Sequence, residues 1–333
     1  MLDKCGREIN YIRISVTDRC NLRCSYCIPK EGIQLCSHKE LLNFDEIERL
    51  VRAFAALGIH TVRLTGGEPF IRRDFLQLAE NIKKISGIEK LTVTTNGTFI
   101  TEEMAESVFN CFDGINISLD TFDRSIYQEI TGADMFDKAY SGLRRLLKQN
   151  DGRRRMSIKL NCVLTEKNQK DILPLVELAK EQELAVRFIE LMPIGLGKGL
   201  MKGVNRSIQE PEVRDLIEST YGSLMPDNEI YGNGPAVYYQ LEGFQGRIGF
   251  ISALSHKFCT KCNRIRLTAD GRLKTCLQYE SGVDLKSILR GGASEEEIRA
   301  VIMQAISEKP TGHAFGESMI EKEESRCMSE IGG

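Results

Sequence analysis

Between Ile9 and about Pro193, short β-branched runs alternate with longer segments of helical period, and no other feature limits the chain as much. The alternation is that of repeated βα units around a parallel sheet. Six units can be drawn, with strands expected at Ile9–Thr17, His60–Thr65, Leu91–Thr95, Gly114–Leu119, Ser157–Leu164 and Val186–Met192. Helices are expected over Phe44–Leu57, Asp74–Ile85, Thr101–Phe112, Phe136–Leu147 and Gln169–Gln182. In the first helix Leu50, Val51, Phe54 and Leu57 share a face, Asn43 is the N-cap and Gly58 the stop. Six units are fewer than a closed eight-unit barrel needs. A partial barrel and an open doubly wound sheet both fit, and the pattern does not separate them.

The 333 residues exceed the usual size of one hydrophobic core, so a second region is expected. From Gly195 to Pro211 the composition turns to Gly, Lys and polar residues, dividing the chain into 1–210 and 211–333. Short strands follow between Ala236 and Leu277, including a hairpin across Asp270-Gly271, with helices near Val283–Leu289 and Glu295–Ile306. A polar stretch, Lys309–Gly333, is expected to lie over the surface of the rest. No run approaches the roughly 20 apolar residues of a membrane span, and Met1–Asn10 lacks the apolar core of a signal peptide. A cytoplasmic protein with no membrane partner is expected. The net charge of -2 supplies no field for nucleic acid, so any anion must be bound by locally gathered cations.

Eleven cysteines in a reducing compartment point to metals or catalysis rather than disulfides. Six of them form two triplets; Cys5, Cys36, Cys111, Cys162 and Cys327 are scattered. With four histidines, none paired at ligand spacing, thiolates must dominate any metal site. Cys20, Cys24 and Cys27 have the spacing C-x3-C-x2-C, which wraps three thiolates around one compact site directly after the first strand. Structural zinc takes four ligands and a cubane iron-sulfur cluster usually four cysteines, so three leave one position open. The competing interpretation is a zinc knuckle with a distant fourth ligand. The second triplet is Cys259, Cys262 and Cys276. With a two-residue turn at Asp270-Gly271, Ala269 pairs with Arg272 and Cys276 returns opposite Ile265, near Cys262. Here the competitor is a zinc ribbon, completed by Cys327 or His256.

Strand ends carry the special loops: Cys20–Cys27, Gly66-Gly67-Glu68-Pro69, Asn96-Gly97, Ser118–Asp120 and Met192–Gly199. Parallel βα folds place their chemistry there. Arg13, Arg63 and Lys159 interrupt strands that should be nearly all apolar if buried on both faces, so these charges must point at something. Arg264 and Arg266 are two apart and share a face beside the second triplet. The bland alternative is salt bridging to loop acids. Arg153-Arg154-Arg155 is expected to be a solvated loop. No serine, histidine or carboxylate constellation competes.

The first triplet, with Tyr26 before its third cysteine and Gly66-Gly67-Glu68-Pro69 after the second strand, resembles the radical S-adenosylmethionine superfamily. The resemblance implies a [4Fe-4S] cluster on Cys20, Cys24 and Cys27 whose open iron chelates S-adenosyl-L-methionine and cleaves it to a 5'-deoxyadenosyl radical. By position it assigns Tyr26, Gly67, Ser118 and Met192 to that cofactor and Thr94 to substrate. The segment Phe258–Cys276 is similar, as is essentially the whole chain, to the MoaA family of GTP 3',8-cyclases in molybdenum cofactor biosynthesis. That resemblance implies a partial (β/α)6 TIM-type barrel with a smaller C-terminal α+β region carrying a second [4Fe-4S] cluster on Cys259, Cys262 and Cys276, whose open iron meets guanine. It assigns GTP to Arg13, Arg63, Thr94, Lys159, Arg264, Ile265 and Arg266. It further implies a C-terminal Gly332-Gly333 tail inserted toward the active site and a low-potential electron donor of flavodoxin or ferredoxin type. A monomer or homodimer is expected. A radical enzyme modifying peptides is the rival activity, and a zinc-bearing binding protein the rival from another class.

Overall fold

A computed structural model describes residues 1–150, 156–197, 199, 208–229, 231–315 and 323–332. Arg153-Arg154-Arg155, Gly333 and much of the connection after Gly195 lie outside the described residues. The strands are β1 Tyr11–Ser15, β2 Thr61–Thr65, β3 Lys90–Thr95, β4 Gly114–Ser118, β5 Ser157–Val163, β6 Ala185–Ile189, β7 Met225–Asp227, β8 Val237–Gln240, β9 Arg247–Ile251, β10 Arg264–Leu267, β11 Arg272–Lys274 and β12 Val283–Asp284. The helices are α1 Phe44–Ala56, α2 Phe75–Lys83, α3 Glu102–Cys111, α4 Arg124–Thr131, α5 Phe136–Asn150, α6 Ile172–Glu181, α7 Glu210–Tyr221, α8 Leu285–Arg290 and α9 Glu295–Ser307.

All twelve strands join one sheet in the order β12-β11-β10-β1-β2-β3-β4-β5-β6-β9-β8-β7. β1 to β6 are parallel neighbours in chain order. A doubly wound sheet would reverse its order at a switch point, so sequential pairing selects the partial barrel. Two strands from the C-terminal region extend this sheet at its two sides: β10 runs parallel to β1 and β9 parallel to β6. The sheet is therefore continuous through residues 1–210 and 211–333.

Alternation along the strands separates two environments. Ile12, Ile14, Val62, Leu64, Val93, Ile117, Leu160 and Phe188 are almost fully buried in the core between sheet and helices. Their neighbours Arg13, Arg63, Thr94, Ser118, Asn161 and Arg187 line a chamber on the other face. The polar residues that interrupt the strands thus mark the inside of the barrel. The helices supply the outer layer, and α1 shows why they start where they do. Asn43 accepts from the Glu46 N–H (2.8 Å) and the Glu46 carboxylate accepts from the Asn43 N–H (2.8 Å), a closed capping box.

Three expectations change in detail. β6 ends at Ile189, short of Met192, because the buried Glu190 carboxylate accepts from the N–H groups of Leu254 (2.8 Å) and Ser255 (3.0 Å), and Pro193 has no N–H to pair. The hairpin loop has three residues, Ala269–Gly271, not two: Arg266 pairs with Lys274 and Leu267 with Leu273. Thr268 causes the shift by accepting at Oγ1 from the Arg272 N–H (2.9 Å), while Gly271 takes a positive φ of 85°. This one-residue slip carries Cys276 toward Arg264 rather than Ile265. Finally, α4 and α7 were not expected. α4 is only eight residues long, with Asp123 capping Ser125 and Ile126, and its three apolar positions form too short a period to read.

Replacing Asn43 by Ala removes one half of the capping box and is expected to cost about 1 kcal/mol, read as a lowered thermal midpoint in calorimetry with turnover unchanged.

Candidate active site

The first cysteine loop is built by a backbone interlock. Gly67 N–H donates to the Thr17 carbonyl (2.7 Å) and Glu68 N–H to the Arg19 carbonyl (2.7 Å). A Cβ on Gly66 would stand 2.6 Å from the Thr17 oxygen, and one on Gly67 2.2 Å from that of Arg19, so only glycine fits at either position. Glu68 is fully buried and accepts from Thr95 Oγ1 (2.8 Å), Asn96 N–H (2.7 Å) and Phe70 N–H (3.2 Å). Burial lifts its pKa to about 7 against those bonds. The motif therefore spends its N–H groups on the cysteine loop, leaving carbonyl oxygens as the groups that can meet an amine.

Cys20, Cys24, Cys27 and Tyr26 all face the chamber. Tyr26 donates to Asp120 Oδ2 (2.6 Å), and Asp120 Oδ1 accepts from the Val163 N–H (2.8 Å). Burial pushes the thiols up, Cys20 to about 11, Cys27 to about 12 and Cys24 well above its ordinary value, with neighbouring Cys27 and Asp120 adding to the effect on Cys24. Thiolates in such a setting need a cation beside them, which iron supplies. Among the described residues no three metal-binding side chains close on a point able to hold a single ion. Three cysteines facing one cavity suit an iron-sulfur cluster that keeps one iron open.

Deeper in the chamber lie Thr94, Ser118, Met192, Arg13, Arg63, Arg264 and Arg266. Met192 reaches it from the loop beyond β6. Lys159 lines a small adjoining cavity with Arg63, Thr61 and Asn233, and its ammonium donates to the Tyr231 carbonyl. Ile265 differs from its expected place. Its side chain is 1% exposed and packs in the core, because the strand turns Arg264 and Arg266 inward and the residue between them outward.

Arg63, Arg264 and Arg266 meet neutral partners. Arg63 donates to Thr92 Oγ1 (3.1 Å) and lies 5.4 Å from the centre of the Tyr11 ring. Arg264 lies over the Phe258 ring, and Arg266 donates to the Gly332 carbonyl (2.6 Å). Burial first, then Arg266, lowers the pKa of Arg13; burial and Arg264 bring Arg266 to about 10. Lys159 is pushed down to about 6 by burial, then by Arg187, Arg63 and Lys90. Arg187 belongs to the same set and was missed by the sequence reading. It is buried in β6 and donates to Asn116 Oδ1 (2.7 Å) and Asn161 Oδ1 (2.5 Å). Its signal was the one that singled out Arg13 and Arg63, a charge inside a buried strand.

The second triplet flanks the opposite ends of the strands, since Cys20 follows β1 whereas the Cys259–Cys262 turn precedes its parallel neighbour β10. Cys259 and Cys262 bracket a single 3-10 turn before β10, and Cys276 follows β11. Burial would raise Cys262, but Arg264 and Lys309 outweigh it and bring the thiol to about 7. The two candidate fourth ligands are both engaged elsewhere. Cys327 acts electrostatically on Cys27 of the first triplet, and His256 Nδ1 is 3.2 Å from Glu210 Oε2. The stretch expected over the surface ends inside the site, in the direction the resemblance implied for the tail: Met328 lines the chamber, and Ile331 and Gly332 are buried.

Two family profiles divide the chain between them. The Radical SAM superfamily matches residues 14–179 and Molybdenum Cofactor Synthesis C matches residues 184–315. Together with the thiol triplet and its glycine interlock, they define a radical S-adenosylmethionine enzyme. A solved structure of Streptococcus suis SuiB bound to precursor peptide SuiA shares the fold, with a TM-score of 0.59 at 16% identity over 92% of this chain and 66% of that one. Full-length similarity goes further: GTP 3',8-cyclases of Clostridium perfringens and Pelotomaculum thermopropionicum are 44% and 41% identical, each over 100% of both chains. The chain belongs to the GTP 3',8-cyclase family.

Gly67→Ala forces a Cβ into the Arg19 carbonyl and must displace the first cysteine loop. Anaerobically reconstituted protein is expected to fall from about eight irons to about four, with loss of S-adenosylmethionine cleavage; iron analysis and 5'-deoxyadenosine release check both.

Proposed function

We propose that this chain converts GTP to (8S)-3',8-cyclo-7,8-dihydroguanosine 5'-triphosphate, the first step of molybdenum cofactor biosynthesis. The observation that carries the reading is a set of inward cations on a sheet whose two separate thiol triplets flank opposite ends of the adjacent parallel strands β1 and β10. When bound, two [4Fe-4S] clusters and S-adenosyl-L-methionine supply radical generation at one end and an open iron at the other. Everything else falls to the chain's own side chains.

Arg13, Arg63, Lys159, Arg264 and Arg266 would hold the triphosphate, whose roughly four negative charges require cations at fixed positions once water is removed. Thr94 and the Ile265 backbone would flank the nucleotide, and Arg187 would join the phosphate set. Tyr26, Gly67, Ser118 and Met192 would line the cofactor, with Asp120 holding the Tyr26 ring in place. The barrel wall would keep the ribose C3' near the radical source and exclude solvent, so catalysis is mainly positioning. Electrons would come from a flavodoxin or ferredoxin type donor, and the enzyme would work in the cytoplasm as a monomer or homodimer. Among the described residues no helix is long and apolar enough to cross a membrane. The peptide-modifying alternative has only a likeness of fold behind it.

Anaerobic protein given S-adenosylmethionine, reductant and GTP is expected to release 5'-deoxyadenosine together with the cyclised nucleotide. Cofactor cleavage indifferent to GTP would overturn the substrate.

Lys159 generates a second expectation. With its pKa near 6 and Arg187, Arg63 and Lys90 beside it, it is largely neutral above pH 7 when no anion is near. A bound polyphosphate favours the ammonium and raises the pKa, so nucleotide binding takes up a proton and weakens as pH rises above about 6. Calorimetry in buffers of different ionisation enthalpy should record an uptake approaching one proton, absent in Lys159→Met.

A further inference from the structure

The segment Lys309–His313 has no place in the function so far, yet it touches the surroundings of all three cysteines of the second triplet. Lys309 is buried, and its Nζ donates to the carbonyls of Arg264 (2.9 Å) and Thr275. Those carbonyls belong to the residue two after Cys262 and the residue just before Cys276. One ammonium therefore bridges the two strands where their cysteines depart. Three residues further on, a Cβ on Gly312 would meet the Cys259 Cβ at 3.3 Å and its Sγ at 3.5 Å, and the His313 N–H donates to Cys259 Sγ (3.4 Å).

The segment is itself anchored from the far end of the chain. Arg7, paired with Asp3 (2.6 Å), donates to the carbonyls of Cys259 (3.0 Å), Pro310 (2.7 Å) and Thr311 (3.0 Å). Such a fixed bracket is more than packing requires. It sets an N–H on one thiol and a cationic group between the other two, and hydrogen bonds and net charge at the sulfurs are what tune an iron-sulfur potential.

We propose that Lys309–His313 is the outer wall of the second cluster site, and that the Lys309 ammonium is a positioning and charge-compensating group that raises that cluster's reduction potential. A reduced cluster carries one more negative charge than an oxidised one, so a fixed cation beside it favours reduction. The inference rests on the second cluster proposed above.

The test uses full-length protein with Cys24→Ala, which disables the first site and leaves the second cluster's paramagnetic signal alone. Into it go Lys309→Gln, which can still donate to a carbonyl without charge, and Lys309→Arg, which keeps the charge. Lys309→Gln is expected to lower the ratio of reduced to oxidised cluster about tenfold at a fixed potential, which is about 59 mV for a one-electron couple, with Lys309→Arg close to the parent. Loss of iron from Lys309→Gln but not from Lys309→Arg supports the same role. An unmoved potential in Lys309→Gln at full iron content overturns it, as does equal loss of iron from both variants, since side-chain shape and not charge would then be what matters. A Cys24→Ala parent that binds no iron overturns the second cluster and this inference together.

Discussion

Positive charge gathered on the inner face of a parallel sheet governs the rest of this structure. Arg13, Arg63, Lys159, Arg187, Arg264 and Arg266 stand on neighbouring strands, and burial together with mutual repulsion depresses Arg13, Lys159 and Arg266. The chamber's two buried acids do little to relieve this. Asp120 is committed to Tyr26 and Val163, and Glu190 to Leu254 and Ser255. A cavity so charged costs folding free energy on its own and favours an anionic occupant. The remaining architecture can be understood as what it takes to keep that cavity open: a rigid apolar layer behind the sheet and neutral acceptors in front of it.

How legible this was in sequence follows from where each property resides. The six βα units, the α1 cap and the two thiol triplets depend on local spacing, and the bounds of the strands and helices fell within about three residues of their places. Sequential strand order did not, because a partial barrel and a doubly wound sheet share one local pattern and differ only in pairing between distant strands. The Asp270-Gly271 turn misled by one residue, since the side chain of Thr268, rather than the turn dipeptide, chose a three-residue loop. Ile265 came to the site only through the resemblance, while period-two alternation turns its side chain away from Arg264 and Arg266. Arg187 was overlooked despite obeying the same rule as Arg63. Lys309 left no trace, for its partners are backbone carbonyls that only folding brings together.

The two thiol triplets reach their sites by opposite means. The first is held by backbone against backbone, Gly66 and Gly67 admitting the Thr17–Arg19 segment at a distance no side chain tolerates. Its cysteines follow one another along one short loop. The second gathers Cys259, Cys262 and Cys276 from both sides of a hairpin, and its geometry depends on long-range contacts, Arg7 from the N-terminal region and Lys309 from beyond α9.

The pairing of β10 with β1 and of β9 with β6 has a consequence for how the molecule comes into being. Arg13 lies opposite Arg266, two residues separated by most of the chain, and only local pairs such as β1 with β2 can form while that distance is still unspanned. Until β9 and β10 arrive, the six-stranded arc has two bare edges, each a template for pairing with another molecule. Closing the chamber and burying those edges are the same event, so the strand that brings Arg264 and Arg266 to the chamber also protects the growing sheet from aggregation.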